Sequence, residues 1–493
     1  MSEPTSTPSA TRWTRRALFG LGGLVAAPRA AAAQLRQPGP PAPGVFQDLQ
    51  LKFLKRTTYG PTVEDIQSVY MYGIDNYLTQ QLDPASIDDA ACDTRLALLT
   101  TLNLTPAQVL TTDSSTVTTQ LQDAALIRAM YSRRQLLERT VEFWSDHFTT
   151  NINIVGSYKN REVREVYRLH ALGKFRDMLS GSFTSPAMLI YLNGAQNTRT
   201  APNQNYAREV MELHTLGVNG GYTQQDVAEV ARCLTGWRYA SSTSDPRAGT
   251  SYYDNTRHDN NAKTVLGVTI PAGGGQADGD RVLDILVGHP STHRFVSRKL
   301  LRWFLDYEPS TTLVAEVAEV FRQSNGDIKA VLRSILTADH VLNARPLFKR
   351  PYHLIIAAVR ALGINVTSLS TIRGTHLAGV GQTLYAWGPP NGYPQDYDYW
   401  GQLPLPRWNY LFSLANGSVS GAPFSAANLT TFLAGATTAA QVADRFDRVL
   451  FANEMPRADK IALIEFLKPD IPTTTRVRDA LGLALSSPGF QWH

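Results

Sequence analysis

Cysteine is almost absent: Cys92 and Cys233 are the only two in a chain of 493 residues. That excludes a disulfide framework and a Cys-rich zinc site, and leaves room for one bridge at most. No internal segment reaches the ~20 consecutive apolar residues of a membrane-spanning helix. Charge of one sign is also lacking, with 47 Lys and Arg against 42 Asp and Glu and no long basic run. A nucleic-acid partner is therefore not indicated. A Gly-x-Ser-x-Gly elbow, a phosphate loop, a dinucleotide fingerprint and a His-Glu-x-x-His zinc motif are all missing. Their absence argues against serine hydrolase, kinase, dehydrogenase and zinc-protease chemistry. There is no internal repeat.

What the chain does have begins at its front. Thr14-Arg15-Arg16-Ala17-Leu18-Phe19 sets an arginine pair before a short Gly- and Ala-rich apolar stretch, 17–27. Arg29 and the small residues 30–33 follow, offering a cleavage site before Gln34. Residues 1–33 thus read as a twin-arginine signal peptide. The mature protein is expected to be periplasmic or extracellular, with no stable membrane insertion once the signal is removed. Proteins on this route fold before crossing, often around a metal or cofactor. Without residues 1–33 the balance falls to 43 basic against 41 acidic side chains.

Residues 34–44 are Pro-rich and read as a linker. From 45 to 493 the spacing predicts a mainly α fold: one large multi-helix domain with long ordered loops, a few short strands, and a subdivision near 240–280. Leu137, Val141, Trp144 and Phe148 form one helical stripe. Asn205 is expected to cap a helix ending at Gly217. Thr223-Gln224-Gln225-Asp226 opens the next as a capping box, and Gly236 closes it. The polar stretch 240–280 is long for a structureless loop, so it is either functional or holds strands, with 264–270 as one. Cys233 is expected as a buried small hydrophobe.

Phe143-Trp144-Ser145-Asp146-His147-Phe148 and the run from Asn205-Tyr206-Ala207-Arg208-Glu209 through Leu213-His214-Thr215-Leu216-Gly217 are followed in order by Leu234-Thr235-Gly236-Trp237, His258-Asp259 with Lys263, and Ser486-Ser487-Pro488-Gly489-Phe490-Gln491. In these motifs the chain resembles the bacterial exported family called "domain of unknown function 1800", over almost the whole mature length. The resemblance implies an exported, mostly helical protein. It also implies a co-encoded exported partner similar to phosphatases and sulfatases. His293 departs from the family, which has a small residue there.

On a 100°-per-residue projection of the 205–216 helix, His214 falls inside the apolar arc and Glu209 at its edge. Arg208 and Glu212 sit i,i+4 on the polar side. Glu209 and His214 can form an acid/base pair or bind metal; a satisfied core histidine and an Arg208–Glu212 ion pair are the structural alternative. His147 flanks the Val141–Trp144–Phe148 stripe. Asp226 at the third helical position serves as a cap or an acid. His258 is a loop ligand or part of a turn. His289 and His293 have zinc spacing, but Pro290 makes His289 an N-cap. Convergence of His147, His214 and His258 would give a site for zinc, iron or manganese. Glu209, His214, Asp226, Arg208 and Glu212 are the candidate catalytic residues. The aromatic segment 385–408 either stacks on sugars or pins a loop to the core. Two functions remain. One is an exported metal-dependent or carboxylate-based hydrolase of a cell-envelope or environmental polymer. The other is a non-catalytic scaffold for the phosphatase-like partner.

Overall fold

The computed structural model describes residues 48–493; the expected signal peptide and linker lie outside the described residues. Helix accounts for 62% and strand for 4%, so the fold is mainly α, as the 3.6-residue spacing requires.

Side-chain caps set most helix starts. Asp113 accepts the Thr116 N–H and opens the helix Ser114–Tyr131. Thr223 and Asp226 form the expected capping box of the helix Gln224–Cys233. His289 caps Pro290–Phe304 by accepting the Ser291 N–H at 3.2 Å, and His293 Nε2 faces the Val287 carbonyl at 3.0 Å. That spacing is therefore not used for metal. Asn203, not Asn205, caps the next helix upstream, its Oδ1 taking the Asn205 N–H at 3.0 Å. This helix is α only over Gln204–Glu209 and continues as a wider π turn, Val210–Thr215. A second π turn, Val163–Arg168, follows the short helix Tyr158–Glu162.

The stretch 240–280 holds short strands, but 264–270 is a tight hairpin, not the single strand expected, because Leu266 and Gly267 turn the chain back. Trp237–Tyr239 pairs antiparallel with Ser251–Tyr253, and Lys263–Val265 with Val268–Ile270. Leu266 and Gly267 join the second hairpin with φ of 49° and 78°, the two positive values that a tight turn matching strand twist demands. Val265 and Ile270 are buried in the main core, so the second hairpin packs onto it.

Two apolar cores are present. The first gathers residues between Phe53 and Ala344, with Trp144, Phe175 and Leu300 at full burial. The second lies mostly between Tyr352 and Phe490, around the paired helices Pro404–Ala415 and Thr474–Ser486. The chain passes between them at residues 345–351. The helix Ser114–Tyr131 belongs to both: Leu121 enters the first core, and Leu126, Ala129 and Met130 the second. Each fully buried large apolar side chain contributes about 1.5–3 kcal/mol over exposure.

A small aromatic cluster, Phe348, Tyr393, Trp400 and Trp492, stands apart from both cores. Trp400 Nε1–H donates to the Pro394 carbonyl at 2.6 Å and the Tyr393 hydroxyl to that of Thr383 at 2.5 Å. The aromatic segment therefore pins its loop. At Gly392 the loop runs against the first core with φ of 80°, and an added Cβ would collide with the Asp146 carbonyl oxygen. Gly392→Ala is expected to cost about 1–3 kcal/mol or more, read as a lowered thermal midpoint. An unchanged melt would show that the loop is not held there.

Candidate active site

Two of the expected histidines meet and the third does not. His147, at the end of the helix Gln135–His147, and His214, in the Val210–Thr215 π turn, have ring centres 6.1 Å apart. His147 Nε2–H donates to the His214 carbonyl at 3.0 Å. A carbonyl only accepts, so the ring proton sits on Nε2 and Nδ1 is a bare acceptor. That Nδ1 and His214 Nε2 are buried without a hydrogen-bond partner among the described residues. Phe143, Trp144, Phe148 and Phe295 pack around the pair. Burial, with the Lys299 ammonium behind it, pushes the His147 pKa well down and that of His214 to about 3. Both rings are neutral.

His258 is elsewhere, committed to its own network. Its Nε2 lies 3.0 Å from Asp278 Oδ2 and its Nδ1 3.0 Å from the Thr235 hydroxyl. Lys263 reaches the same Asp278 oxygen. Asp259 is held by Arg232 at 2.7 Å, and Arg232 in turn by Glu229 at 2.8 Å. Among the described residues no three His, Cys, Asp or Glu side chains are grouped to hold a metal ion. The three-histidine centre expected from the sequence is not assembled.

The carboxylates of the 204–216 segment are also placed differently from their projection. The π turn carries hydrogen bonds one residue longer, as in Leu216 N–H to Met211 O at 2.7 Å, so a 100° wheel drifts through it. Arg208 therefore misses Glu212 and donates to Gln224 at 2.7 Å, while Glu212 accepts from the Tyr222 hydroxyl at 3.3 Å. Glu209 is half-buried, its pKa raised by burial and then by Glu212, with Arg208 opposing. It makes no hydrogen bond to His214, so the expected acid/base pair is not formed. Both Asp226 oxygens are in use: Oδ2 accepts from Thr223 N at 2.8 Å and Oδ1 from Leu266 N at 2.7 Å. Asp226 is a cap that also anchors the hairpin turn. Cys92 and Cys233 are both buried and free.

The arrangement best suited to chemistry lies on the polar side of the helix Gln135–His147. Glu138, Glu142 and Asp146 succeed one another at i,i+4, along one face. They line a cavity of about 40 Å³ with Ser145, Arg350 and Tyr393. Arg350, just before the helix Pro351–Ala361, donates from both Nη atoms to Asp146 Oδ2 at 2.8 Å and lies 3.8 Å from Glu142. His353, one turn on, has Nε2 2.9 Å from Glu142 Oε2. Arg168, from the Val163–Arg168 π turn, grips Glu138 through two bonds of 2.6 and 2.8 Å.

Burial raises the Glu142 pKa, with Arg350 and Arg139 pulling it back. Burial likewise raises that of Asp146; Arg350 opposes and the neighbouring Glu142 charge adds. Both carboxyls, one turn apart, are thus biased toward their protonated forms. The Ser145 hydroxyl is buried on the same wall without a partner among the described residues. On the far side of Asp146, Lys299 has its pKa lowered by burial to about 8, with Asp146 opposing. Lys299 thereby couples this cavity to the two histidines.

Of this group only Ser145, Asp146 and His147 lie in a motif that the sequence alone brings forward. Glu142, Arg350, His353 and Arg168 escape it because a lone charged residue on a helix reads as a solvated face. The Glu138–Glu142–Asp146 spacing beside an aromatic stripe is the signal that would have found the carboxylates.

The neutral histidines make stability fall in acid. The unfolded chain takes up their protons below the ordinary value of 6.5, and the folded chain does so only near 3 for His214. Their stabilisation is complete above 6.5 and is lost as pH falls from there, by up to about 1.4 kcal/mol per pH unit for each ring. Urea unfolding from pH 7 to 4 is expected to show a shallower loss in His214→Leu than in the parent. Equal slopes would refute the assignment.

A family model described as "Protein of unknown function (DUF1800)" matches residues 52–492. No curated protein and no solved structure matches the chain.

Proposed function

Since the chain belongs to the family described as protein of unknown function DUF1800, we propose that it is a hydrolase working outside the cytoplasm, with Glu142 and Asp146 as its acid–base centre. One observation carries this reading: two carboxyls with raised pKa values line one small cavity with a buried serine hydroxyl that has no partner among the described residues. In hydrolysis one carboxyl of such a pair protonates the leaving group while the other draws a proton from water. Arg350 holds Asp146 in one orientation, and His353 does the same for Glu142. A cavity of about 40 Å³ has room for a water molecule or one small group. A cell-envelope or environmental polymer would therefore present an end or a side group to it. The export signal at 1–33 supplies the location.

The Val163–Arg168 π turn lines this cavity, and such turns recur at functional sites. The scaffold reading, with a phosphatase- or sulfatase-like exported partner, draws on the same ion pairs as fixed packing. The two readings part on the behaviour of variants that keep the fold.

Glu142→Gln and Asp146→Asn are isosteric and remove only the proton chemistry. Protein carrying each change is to be assayed on chromogenic esters, glycosides and phosphodiesters beside the parent. The parent is expected to hydrolyse one class, with a rate that falls on both sides of an optimum above the ordinary carboxyl range. Each variant is expected to lose about 10²–10⁴-fold with its thermal melt retained. Full activity in both variants would sink the carboxylate assignment.

A further inference from the structure

The helix Ser114–Tyr131 and the Val163–Arg168 turn also border a cleft of about 610 Å³. Its wall shares Arg128, Val163 and Arg168 with the carboxylate cavity, so the two spaces meet at these side chains. The volume falls in the range of small-molecule sites, about 300–1,000 Å³. Three guanidinium groups line the cleft, with Asp93 as its carboxylate.

These guanidinium groups differ in how they are satisfied. Arg168 is neutralised by Glu138. Arg164 donates to the Leu102 and Leu104 carbonyls at 2.8 and 3.0 Å and pairs with Glu165. Arg128 forms neither a hydrogen bond nor an ion pair among the described residues, and the exposed Asp93 does not reach it. Burial, and then the Arg168 charge, depress its pKa; Glu138, and behind it Tyr385 and Cys92, oppose without contacting the guanidinium. A cation taken from water beside another cation and left without a counter-ion destabilises the empty protein. A second group on the same wall is also incomplete. Asn160 is 2% exposed; its Nδ2–H donates to the Thr101 carbonyl at 3.2 Å, and its Oδ1 has no partner.

We propose that this cleft binds a hydroxylated organic anion, its acidic group against Arg128 and a hydroxyl donating to Asn160 Oδ1. A guanidinium wants a carboxylate, phosphate or sulfate. A buried amide oxygen wants a donor, which a bare inorganic anion lacks. Acidic sugars combine both, whether the charge comes from a carboxylate or a phosphoryl group. The anion deepens the hydrolase reading by giving its substrate an acidic group, and it rests on that reading only for the word substrate.

The test is calorimetric titration of the full mature protein at low salt with glucuronate, glucose 6-phosphate and glucose. Saturable binding of at least one anionic sugar is expected, with glucose weaker by about tenfold or more. Which anion binds separates the carboxylate source from the phosphoryl source. Arg128→Met is expected to lose about tenfold or more of that affinity. It is also expected to melt higher than the parent without ligand, because the unpaired charge is gone. Arg128→Lys guards against misfolding and should bind at intermediate strength. Glu142→Gln should bind as the parent does. Intact binding with unaltered hydrolysis in Glu142→Gln would remove the hydrolase reading and leave the site. Absence of saturable binding by both anions, equal binding of glucose, or equal binding by Arg128→Met would overturn the proposal.

Discussion

The contact between Arg350 and Asp146 spans 204 positions of the chain and ties the first apolar core to the start of the second. Asp146 ends a helix of the first core, and Arg350 immediately precedes Pro351, the first residue of a second-core helix. Removing one partner of such a buried pair leaves the other charge stranded, at about 3–5 kcal/mol. Its neighbours are arranged around the same need. Glu142 shares Arg350, His353 faces Glu142, and Gly392 lets the aromatic loop close over the Asp146 carbonyl. Packing and the placement of both carboxylates therefore depend on one guanidinium.

Local signals were legible and distant ones were not. The Thr223–Asp226 capping box, the His289 cap before Pro290 and the burial of Cys233 all follow from short-range rules. So does the mainly α class. The pairing of Glu209 with His214 fails for a physical reason: the π turn at 210–215 changes how many residues fill each turn, and composition carries no mark of that change. His258 reads in the sequence as a loop ligand or part of a turn. Asp278 and Thr235 claim its two nitrogens, and neither is near it in sequence. Asp226 shows the reverse case, a residue whose short-range role was plain while its bond to Leu266 N–H was not.

The part of the site that sequence reading missed is the part made of long-range charge pairs. Glu142 and Glu138 recur at helical spacing on a face that a wheel assigns to solvent. They are drawn inside because Arg168, Arg350 and His353 arrive from other elements to receive them. The histidines differ: apolar neighbours in their own motifs already place His147 and His214 inward, and the surrounding phenyl rings keep them neutral. Two chemistries thus stand on opposite sides of one helix end, with Lys299 between them.

The helix Ser114–Tyr131 lends different faces to the two cores and carries Arg128 between them. Neither half can be excised as an autonomous fragment, since whichever half keeps this helix strands the apolar face that the other should cover. Cooperativity then extends across the whole chain, and a ligand seated at Arg128 would brace both halves at once. Such a shared beam makes a half-folded chain conspicuous: with one core unmade, the helix still exposes a greasy stripe.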